Sequence, residues 1–352
     1  MKKCLIIQIK MIGDVLTSTI ILDSLKHNYP NITLHYLVEK RTLPVIENHP
    51  AIDKAISVEK LNRDTIFLLS KQLKAEKYDL IIDVYSKINT ALLSFLIGNK
   101  AKFGIYKWYT QWAYSKTIKY RTKSLYHTQL SYENRLQFLE PLSVPIDYSL
   151  KPKIYLTTEE QEKTKQICIN HGINYNEQPH IMVSILGSST NKTYPLAYLA
   201  KLLDSIANTF KNVKFLFNYI PAQQAEVNRL IELCNSNTQK LINPYYAKNL
   251  RDFITLTSFC SMSIGNEGGL INMSKALDIP TFAIFSPWIT TKAWGTKNQE
   301  NHEVVHLEDF YPEDYESSNR KELKENTQLL YQKFTPNLIQ KKLLTFVEKQ
   351  LT

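Results

Sequence analysis

Short apolar runs alternate with amphipathic segments along the first 150 residues. A short apolar run predicts a buried strand, whereas apolar residues that recur every three or four positions predict a helix. On this pattern the strands lie at 4–9, 32–38, 55–58, 78–84 and 102–105, and the helices at 15–28, 42–48, 64–74, 90–97 and 131–142. Strands that alternate with helices in this way predict βαβ units and a parallel sheet.

The same alternation starts again after a proline-containing stretch at 144–155, which we interpret as a linker. Further strands are predicted at 180–185, 213–217, 262–264 and 281–285, and further helices at 158–171, 196–210, 223–234, 250–260, 269–277 and 321–351. The sequence therefore predicts two Rossmann-like, doubly wound α/β lobes, residues 1–150 and 151–325, with a ligand site in the cleft between them. A terminal helix at 326–352 is expected to pack back on the first lobe.

Composition narrows the class of protein. Hydrophobic residues make up 43% of the 352 positions, which is enough for two cores. The formal net charge of +10 favours an acidic partner, although lysines spread along the whole chain also fit an ordinary solvated surface. Four widely separated cysteines indicate neither a metal site nor a disulfide framework and fit a reducing compartment. We expect no signal peptide, and no apolar run reaches the ~18 residues of a transmembrane helix.

The stretch Lys10-Met11-Ile12-Gly13-Asp14 connects the first predicted strand to the first predicted helix. Such a turn lies at the carboxyl edge of a parallel sheet, where open α/β sheets bind their ligands. Asp14 has two interpretations at this position. It either caps the helix N-terminus or acts as a catalytic carboxylate.

A turn in the second lobe is a candidate anion site. It contains Gly187, Ser188 and Ser189, with Lys192 three positions further on. Glycine lets backbone N–H groups approach a phosphate, the hydroxyls can donate to it, and the lysine adds a positive charge. The spacing is not that of a P-loop NTPase. The alternative is an ordinary βα loop of small residues.

A second anion candidate follows the strand at 262–264. Gly268 and Gly269 at a helix N-terminus permit close approach of a pyrophosphate. Glu267 would repel a phosphate, so we expect it to accept hydrogen bonds from sugar hydroxyls, or else to stabilise the helix dipole. Asn272, one turn into the helix, either reaches the same ligand or is an ordinary surface residue.

The segment 106–126 departs from the alternating pattern because it is rich in aromatic and basic residues. These side chains could bind a sugar face, an anionic acceptor or nucleic-acid bases, or could simply pack the loop down. The sequence contains no metal-ligand cluster, so a phosphate leaving group would be neutralised by Lys192 and helix dipoles. The first βα turn lacks G-x-G-x-x-G, which disfavours a dehydrogenase.

Four motifs, in order along the chain, resemble those of the ADP-heptose:lipopolysaccharide heptosyltransferases (glycosyltransferase family 9). They are Ile12-Gly13-Asp14-Val15, the strand Tyr78-Asp79-Leu80-Ile81-Ile82-Asp83, the loop from Gly187 to Tyr194-Pro195, and Glu267-Gly268-Gly269-Leu270-Ile271-Asn272 followed by 276–280. The resemblance covers nearly the whole chain. It departs from the family pattern where Glu267 replaces Asp, Gly268 replaces Thr, Asn272 replaces His and Tyr194 replaces the commoner Trp, and these changes bear on the donor sugar and its nucleotide.

The resemblance implies a GT-B fold and an inverting, metal-independent transfer of heptose, or a related sugar, from an ADP-sugar to a lipopolysaccharide core or another surface glycan. It makes Asp14 the general base that deprotonates the acceptor hydroxyl. The implied donor-binding residues are Gly187, Ser188, Ser189, Lys192, Glu267, Gly268, Gly269 and Asn272. The expected acceptor-binding residues are Lys10, Gly13, Trp108 and Arg121.

The expected setting is the cytoplasm, with peripheral contact to the anionic inner face of the membrane and a phosphorylated glycolipid as acceptor. No cofactor, no metal and no nucleic-acid partner are expected. Two alternatives stay open at this point: a non-catalytic binding partner of the same fold, and a transferase that uses a different nucleotide-sugar.

Overall fold

The computed structural model describes residues 1–98, 101–295, 301–316 and 318–351. The chain divides into two compact units, Met1–Tyr155 and Leu156–Thr352. Each unit contains a parallel sheet of six strands with helices connecting them, as far as the described residues show.

The sheet of the first unit is built from predominantly apolar strands. They are β1 (Lys3–Ile7), β2 (Thr33–Glu39), β3 (Lys54–Val58), β4 (Leu80–Asp83), β5 (Ala101–Ile105) and β6 (Lys116–Ile118). The first five were predicted. The short strand β6 lies within 106–126, where the sequence predicted only a loop, and it pairs in parallel with β5 at the edge of the sheet.

The helices of the first unit are α1 (Ile12–Thr17), α2 (Thr19–Asn28), α3 (Arg63–Ala75), α4 (Ile88–Ile97) and α5 (Leu130–Leu136). The continuous helix predicted at 15–28 is broken at Ser18. Hydroxyls compete for the backbone there: Ser18 Oγ donates to the Asp14 carbonyl at 2.8 Å and Thr19 Oγ1 to the Leu16 carbonyl at 2.8 Å.

Two other predicted helices are wound more tightly than expected. The segment predicted at 42–48 is a 3₁₀-helix, Lys40–Val45, and the second half of the one predicted at 131–142 is another, Gln137–Leu142. Each contains a proline, Pro44 or Pro141, which cannot donate the backbone hydrogen bond of an α-helix. A third 3₁₀ turn, Gln111–Ala113, lies before β6.

The second sheet repeats the plan of the first. Its strands are β7 (His180–Ser184), β8 (Lys214–Phe217), β9 (Ile242–Asn243), β10 (Met262–Asn266), β11 (Thr281–Ile284) and β12 (His302–Val305). The sequence missed β9 and β12, and took β11 as the last clear strand. Both missed strands lie at the two edges of this sheet.

The second unit carries the remaining helices. They are α6 (Thr158–Asn170), α7 (Leu196–Thr209), α8 (Gln224–Leu233), α9 (Ser236–Leu241), α10 (Leu250–Thr257), α11 (Gly269–Ala276), α12 (Thr291–Trp294), α13 (Glu313–Glu316), α14 (Arg320–Glu325), α15 (Thr327–Lys333) and α16 (Pro336–Leu351).

The terminal helix α16 belongs to the second unit. Its buried side chains, Ile339, Leu343, Phe346 and Val347, lie in the core of the second unit, and the helix packs along α7. The expected contact of this helix with the first lobe stays a prediction. Their spacing of three and four residues gives α16 one apolar face, and α7 supplies the surface that buries it.

Both sheets have the same strand order. It is β3-β2-β1-β4-β5-β6 in the first unit and, read from the other edge, β9-β8-β7-β10-β11-β12 in the second. In a doubly wound sheet, successive strands are added outward in one direction from the first strand and then in the opposite direction from the fourth. Ligands bind at the carboxyl ends of the first and fourth strands, where the strand order reverses. This switch point lies between β1 and β4 in the first unit and between β7 and β10 in the second.

Candidate functional site

Asp14 lies where the first sheet is expected to bind a ligand. It follows β1 at the switch point and is the third residue of α1, not its N-terminal cap. Asp14 Oδ2 is 3.4 Å from the backbone nitrogen of Met11, the residue that precedes the helix. The Asp14 side chain keeps 31% of its surface exposed. Asp14 is therefore not the predicted cap, but as a first-turn carboxylate it accepts from the backbone that precedes the helix and still faces solvent, as the catalytic interpretation requires.

Arg135 on α5 holds the Asp14 carboxylate. Its Nη2 donates to Asp14 Oδ1 at 2.6 Å, its Nη1 to the Tyr120 hydroxyl at 2.9 Å and its Nε to Ser18 Oγ at 3.0 Å. Burial opposes the charge of Arg135, but Tyr120 and Asp14 outweigh it and raise the pKa of the guanidinium. A buried arginine that donates to one oxygen of a partly exposed carboxylate fixes the direction of that carboxylate.

The two residues before Arg135 organise the same region. The buried Glu133 carboxylate accepts from the backbone nitrogens of Leu125 at 2.9 Å and Tyr126 at 3.1 Å. Asn134 pairs with both backbone groups of Arg121, accepting at 2.8 Å and donating at 3.1 Å. One short helix therefore anchors the end of the 106–126 segment and the Asp14 carboxylate together. Sequence reasoning missed all three residues.

Asp83 ends β4 on the other side of the switch point. Its Oδ1 accepts from the backbone nitrogens of Tyr85 at 3.1 Å and Ser86 at 2.8 Å, and its Oδ2 accepts from the Tyr114 hydroxyl at 2.7 Å. Complete burial raises the pKa of Asp83 to about 6 despite these bonds. A carboxylate enclosed in this way supports the loop after β4 and cannot reach a substrate.

The four predicted acceptor residues have different surroundings. Gly13 adjoins Asp14 in α1, and Lys10, just before α1, is 3.3 Å from Glu39 Oε1. Arg121 forms an ion pair with Glu140 and lies against the stacked rings of Tyr126 and Tyr148. Arg121 therefore has a structural role already.

Trp108, the fourth of these residues, lies on an aromatic surface formed by Phe95, Trp108, Tyr109 and Trp112. The Phe95 and Trp112 ring centroids are 5.4 Å apart, and those of Trp108 and Tyr109 are 5.5 Å apart. Trp112 Nε1 donates to the Tyr109 carbonyl at 3.0 Å. Lys102 lies 5.6 Å from the Phe95 ring centroid. Because Trp108 is 79% exposed, its ring does not pack the loop down, which was the alternative role for this segment.

The loop after β7 folds back tightly on itself. A side chain at Gly187 would begin 2.1 Å from the Lys192 carbonyl oxygen, so only glycine fits there. The Gly187 backbone nitrogen donates to Thr193 Oγ1 at 3.0 Å, and Thr193 Oγ1 donates to the Ser189 carbonyl at 3.0 Å. Ser188 and Ser189 are exposed on this loop. The compact turn presents both serines and Lys192 at the carboxyl end of the sheet.

Asn266 joins the two predicted anion turns. Its buried side chain accepts from the Tyr194 backbone nitrogen at 2.6 Å and donates to the carbonyls of Ser184 at 2.9 Å and Ile185 at 2.7 Å. The end of β10 is thereby fastened to the end of β7 and to the loop that carries Lys192. Close approach of the same strands also requires Gly265, whose φ is 117° and where a Cβ would lie 2.4 Å from the Ser184 oxygen.

The turn that contains Glu267 opens onto α11. Gly268 precedes the helix, Gly269 is its first residue, and Asn272 Nδ2 donates to the Gly268 carbonyl at 2.9 Å. Half-buried Lys275 lies on the same helix. Burial lowers the pKa of Lys275 to about 8, and the Glu267 carboxylate acts in the opposite direction. Glu267 therefore has a cation near it, and Asn272 is partly engaged by the backbone.

Within the described residues, no three His, Cys, Asp or Glu side chains come together in a group able to hold a metal ion. In the same part of the chain, no helix has the length and apolar character needed to cross a membrane. Cys4, Cys168, Cys234 and Cys260 are buried thiols without disulfide bonds.

Two doubly wound lobes of this kind are the architecture of GT-B glycosyltransferases, and comparisons with known proteins identify the family. The model of glycosyltransferase family 9 (heptosyltransferase) matches residues 66–321, which is most of the chain. The chain belongs to this family and is a glycosyltransferase. The prediction made from the sequence motifs is thus confirmed for the family, the fold and the class of enzyme.

Individual relatives agree with this assignment. Lipopolysaccharide heptosyltransferase 1 of Campylobacter coli is 22% identical over 80% of this chain and 83% of its own length. The glycosyltransferase family 9 structure from Veillonella parvula superposes with a TM-score of 0.79 at 18% identity, covering 99% of this chain and 97% of that one. The E. coli heptosyltransferase WaaC with ADP gives a TM-score of 0.67 at 15% identity over 99% of each chain.

Proposed function

We propose that this glycosyltransferase transfers heptose, or a related sugar, from an ADP-sugar to a lipopolysaccharide core or another surface glycan, with inversion and without a metal ion. The observation that carries the proposal is the Asp14 carboxylate, which is partly exposed at a sheet switch point and held by Arg135. The relatives support the substrate class, since one is named a lipopolysaccharide heptosyltransferase and another was solved with ADP.

In the proposed reaction Asp14 is the general base. Its less constrained oxygen, Oδ2, accepts the proton of the acceptor hydroxyl as that oxygen attacks the anomeric carbon of the donor. The new C–O bond forms while the bond between the anomeric carbon and the diphosphate oxygen breaks. The electron pair of the broken bond leaves with the nucleoside diphosphate. A single displacement of this kind inverts the anomeric configuration and needs only one carboxylate.

The second unit would bind the donor. Ser188, Ser189 and Lys192 would contact the diphosphate, with the tight turn at Gly187 bringing backbone N–H groups close to it. Glu267 would accept from hydroxyls of the donor sugar, and Gly268 and Gly269 would leave room at the start of α11. Asn272 would contact the same ligand through its carbonyl oxygen, because its amide donates to Gly268. A different nucleotide-sugar stays open as an alternative, because the turn departs from the family pattern at Glu267, Gly268 and Asn272.

The acceptor would be a phosphorylated glycolipid at the inner face of the cytoplasmic membrane. The aromatic surface and its neighbour Lys102 suit such a location, because tryptophan and tyrosine settle at lipid–water interfaces and lysine attracts anionic head groups. Lys10 and Gly13 are placed near Asp14 in sequence and would contact the reacting end of the acceptor. We assign Trp108 to the membrane-facing part rather than to the sugar.

The Asp14→Asn variant tests the proposal. Asparagine keeps the shape of the side chain but cannot take up the proton, so we expect transfer to fall by roughly 10²–10⁴-fold. The stabilisation of the protein by ADP should stay as in the wild type, because the donor would bind the second unit. Asp64→Asn is the matched control, since Asp64 is an exposed first-turn carboxylate on α3. Full transfer by Asp14→Asn would refute the assignment of the base.

A further inference from the structure

A cluster of cations surrounds the indole ring of Trp288, in the second unit. Lys192 Nζ lies 5.7 Å from the ring centroid, the Arg320 guanidinium carbon 5.3 Å and Lys324 Nζ 5.4 Å. Lys192 comes from the loop after β7, whereas Arg320 and Lys324 lie one turn apart on α14. The distances between the three charges are therefore comparable to one Debye length, about 10 Å at 0.1 M salt, so salt does not fully screen them from one another.

No carboxylate of the described residues forms an ion pair with the three cations of this cluster. Lys321 on the same helix, in contrast, lies 3.9 Å from Glu325. The face of Trp288 offsets only part of the mutual repulsion of three cations. Three neighbouring cations that form no ion pair attract an anion.

The cluster adjoins a cavity of about 200 Å³ that could receive an anionic group. Trp288 and Arg320 line it, together with Lys292 and Thr290. One carboxylate, Glu308, also lines the cavity, and it lies 3.7 Å from the Nδ1 atom of His306.

The cluster is fastened to the loop that carries Lys192. Trp288 Nε1 donates to the Asn191 carbonyl at 2.9 Å, and Ser286 Oγ donates to the same oxygen at 2.6 Å. The residue directly before Lys192 is thus fixed by the segment that carries the ring. An anion bound by Lys192 would therefore lie within reach of the cations on α14.

We propose that Arg320 and Lys324 bind the diphosphate of the donor together with Lys192 and stabilise the leaving nucleoside diphosphate. This inference rests on the proposed function, in which Lys192 contacts that diphosphate. As the bond to the anomeric carbon breaks, its electron pair stays on the terminal phosphate, whose negative charge increases. Two cations beside Lys192 offset that charge, and the planar guanidinium of Arg320 can donate two parallel hydrogen bonds to one phosphate.

The test measures ADP, GDP, UDP and adenosine binding to the wild type, the double variant Arg320→Gln/Lys324→Gln and the control Lys321→Gln. All three positions are exposed, and melting temperatures without ligand check that the variants fold. We expect the double variant to bind the preferred nucleoside diphosphate at least about tenfold more weakly, with adenosine binding unchanged. The control should bind both as the wild type does.

The outcomes separate the two proposals. Equal nucleoside diphosphate affinity in the wild type and the double variant overturns the role of Arg320 and Lys324 and leaves the proposed function standing. A wild type that binds none of the three diphosphates overturns both. An equal loss for adenosine and the diphosphate also overturns the inference, because it indicates a disturbed pocket rather than a lost phosphate contact.

Discussion

The two oxygens of the Asp14 carboxylate have different surroundings. Oδ1 receives a hydrogen bond of 2.6 Å from Arg135, whereas the one contact of Oδ2 within the described part of the chain is the 3.4 Å contact with the Met11 nitrogen. A carboxylate whose one oxygen is held presents the other in a fixed direction, which is what a general base requires. Arg135 is therefore a positioning residue, and its own direction is fixed by Ser18 and Tyr120.

The Arg135→Lys variant isolates this positioning role. Lysine keeps the positive charge but cannot reach Asp14, Ser18 and Tyr120 in the planar geometry of the guanidinium. We expect kcat to fall about tenfold or more, while the KM for the nucleotide-sugar stays as in the wild type. Arg121→Lys is the control, because Arg121 pairs with Glu140 instead. Unchanged kcat in Arg135→Lys would leave Arg135 with a purely structural role.

Among single residues, the sequence draws attention to Asp14 but not to Arg135, which binds its carboxylate. Asp14 is conspicuous because it follows a glycine between an apolar run and a helix. Arg135 lies 121 positions further on, inside a helix whose polar residues would ordinarily face solvent. The run Glu133-Asn134-Arg135 is buried only because three separate chain segments come to it for hydrogen bonds. Contacts between segments so far apart in sequence leave no local pattern.

Among the elements, the central strands and the edge strand β3 were predictable, whereas the other three edge strands were not. The inner strands β1, β4, β7 and β10 are buried by neighbours on both sides and read as apolar runs. The edge strands β6, β9 and β12 have two to four residues, and part of each remains exposed. These strands form because they pair with the strand next to them, and the hydrophobic periodicity of their own residues does not reveal this pairing.

The hydrogen bonds by which Asn266 connects the ends of β7 and β10 lead to a prediction about stability and donor binding. Asn266→Ala leaves the Tyr194 nitrogen and the carbonyls of Ser184 and Ile185 without their side-chain partner. Unpaired buried groups cost about 1–3 kcal/mol each, and partial rearrangement should limit the total to about 2–4 kcal/mol. Chemical denaturation measures this loss. We also expect ADP to bind more weakly, because the Lys192 loop loses its anchor.

Asn237→Ala serves as the control for Asn266. The Asn237 amide donates to one carbonyl, that of Ala207, and lies away from both anion turns. It should lose about 1 kcal/mol and bind ADP normally. If Asn266→Ala binds ADP as tightly as this control does, the fastening has no bearing on the donor site.

For the whole molecule, the strand order shared by both sheets explains why the two-lobed fold could be predicted from the sequence. Each lobe brings its loops to the carboxyl ends of the strands around one switch point, so motif order along the chain predicts which turns carry chemistry. The packing of α16 along α7 was not predicted, because the apolar face of a helix does not specify its partner. The core that accepts this helix, around α7, is defined only once the second sheet is assembled.

The net charge of +10 and the aromatic surface lead to a prediction about membrane contact. In Trp108→Ser/Trp112→Ser, two exposed indoles that would enter the interfacial region are lost. Half-burying each indole contributes about 2 kcal/mol, so binding to vesicles that contain phosphatidylglycerol should fall tenfold or more in a flotation assay. Added salt should weaken wild-type binding further, because lysine attraction to anionic head groups is screened.

Leu329→Ser is the control, since Leu329 is an apolar residue on α15 whose exposed fraction lies between those of Trp108 and Trp112. Because Asp14 and Lys192 are untouched, transfer to a water-soluble acceptor should be normal in the double variant. Wild-type affinity of the double variant for these vesicles would show that this surface does not contact the membrane.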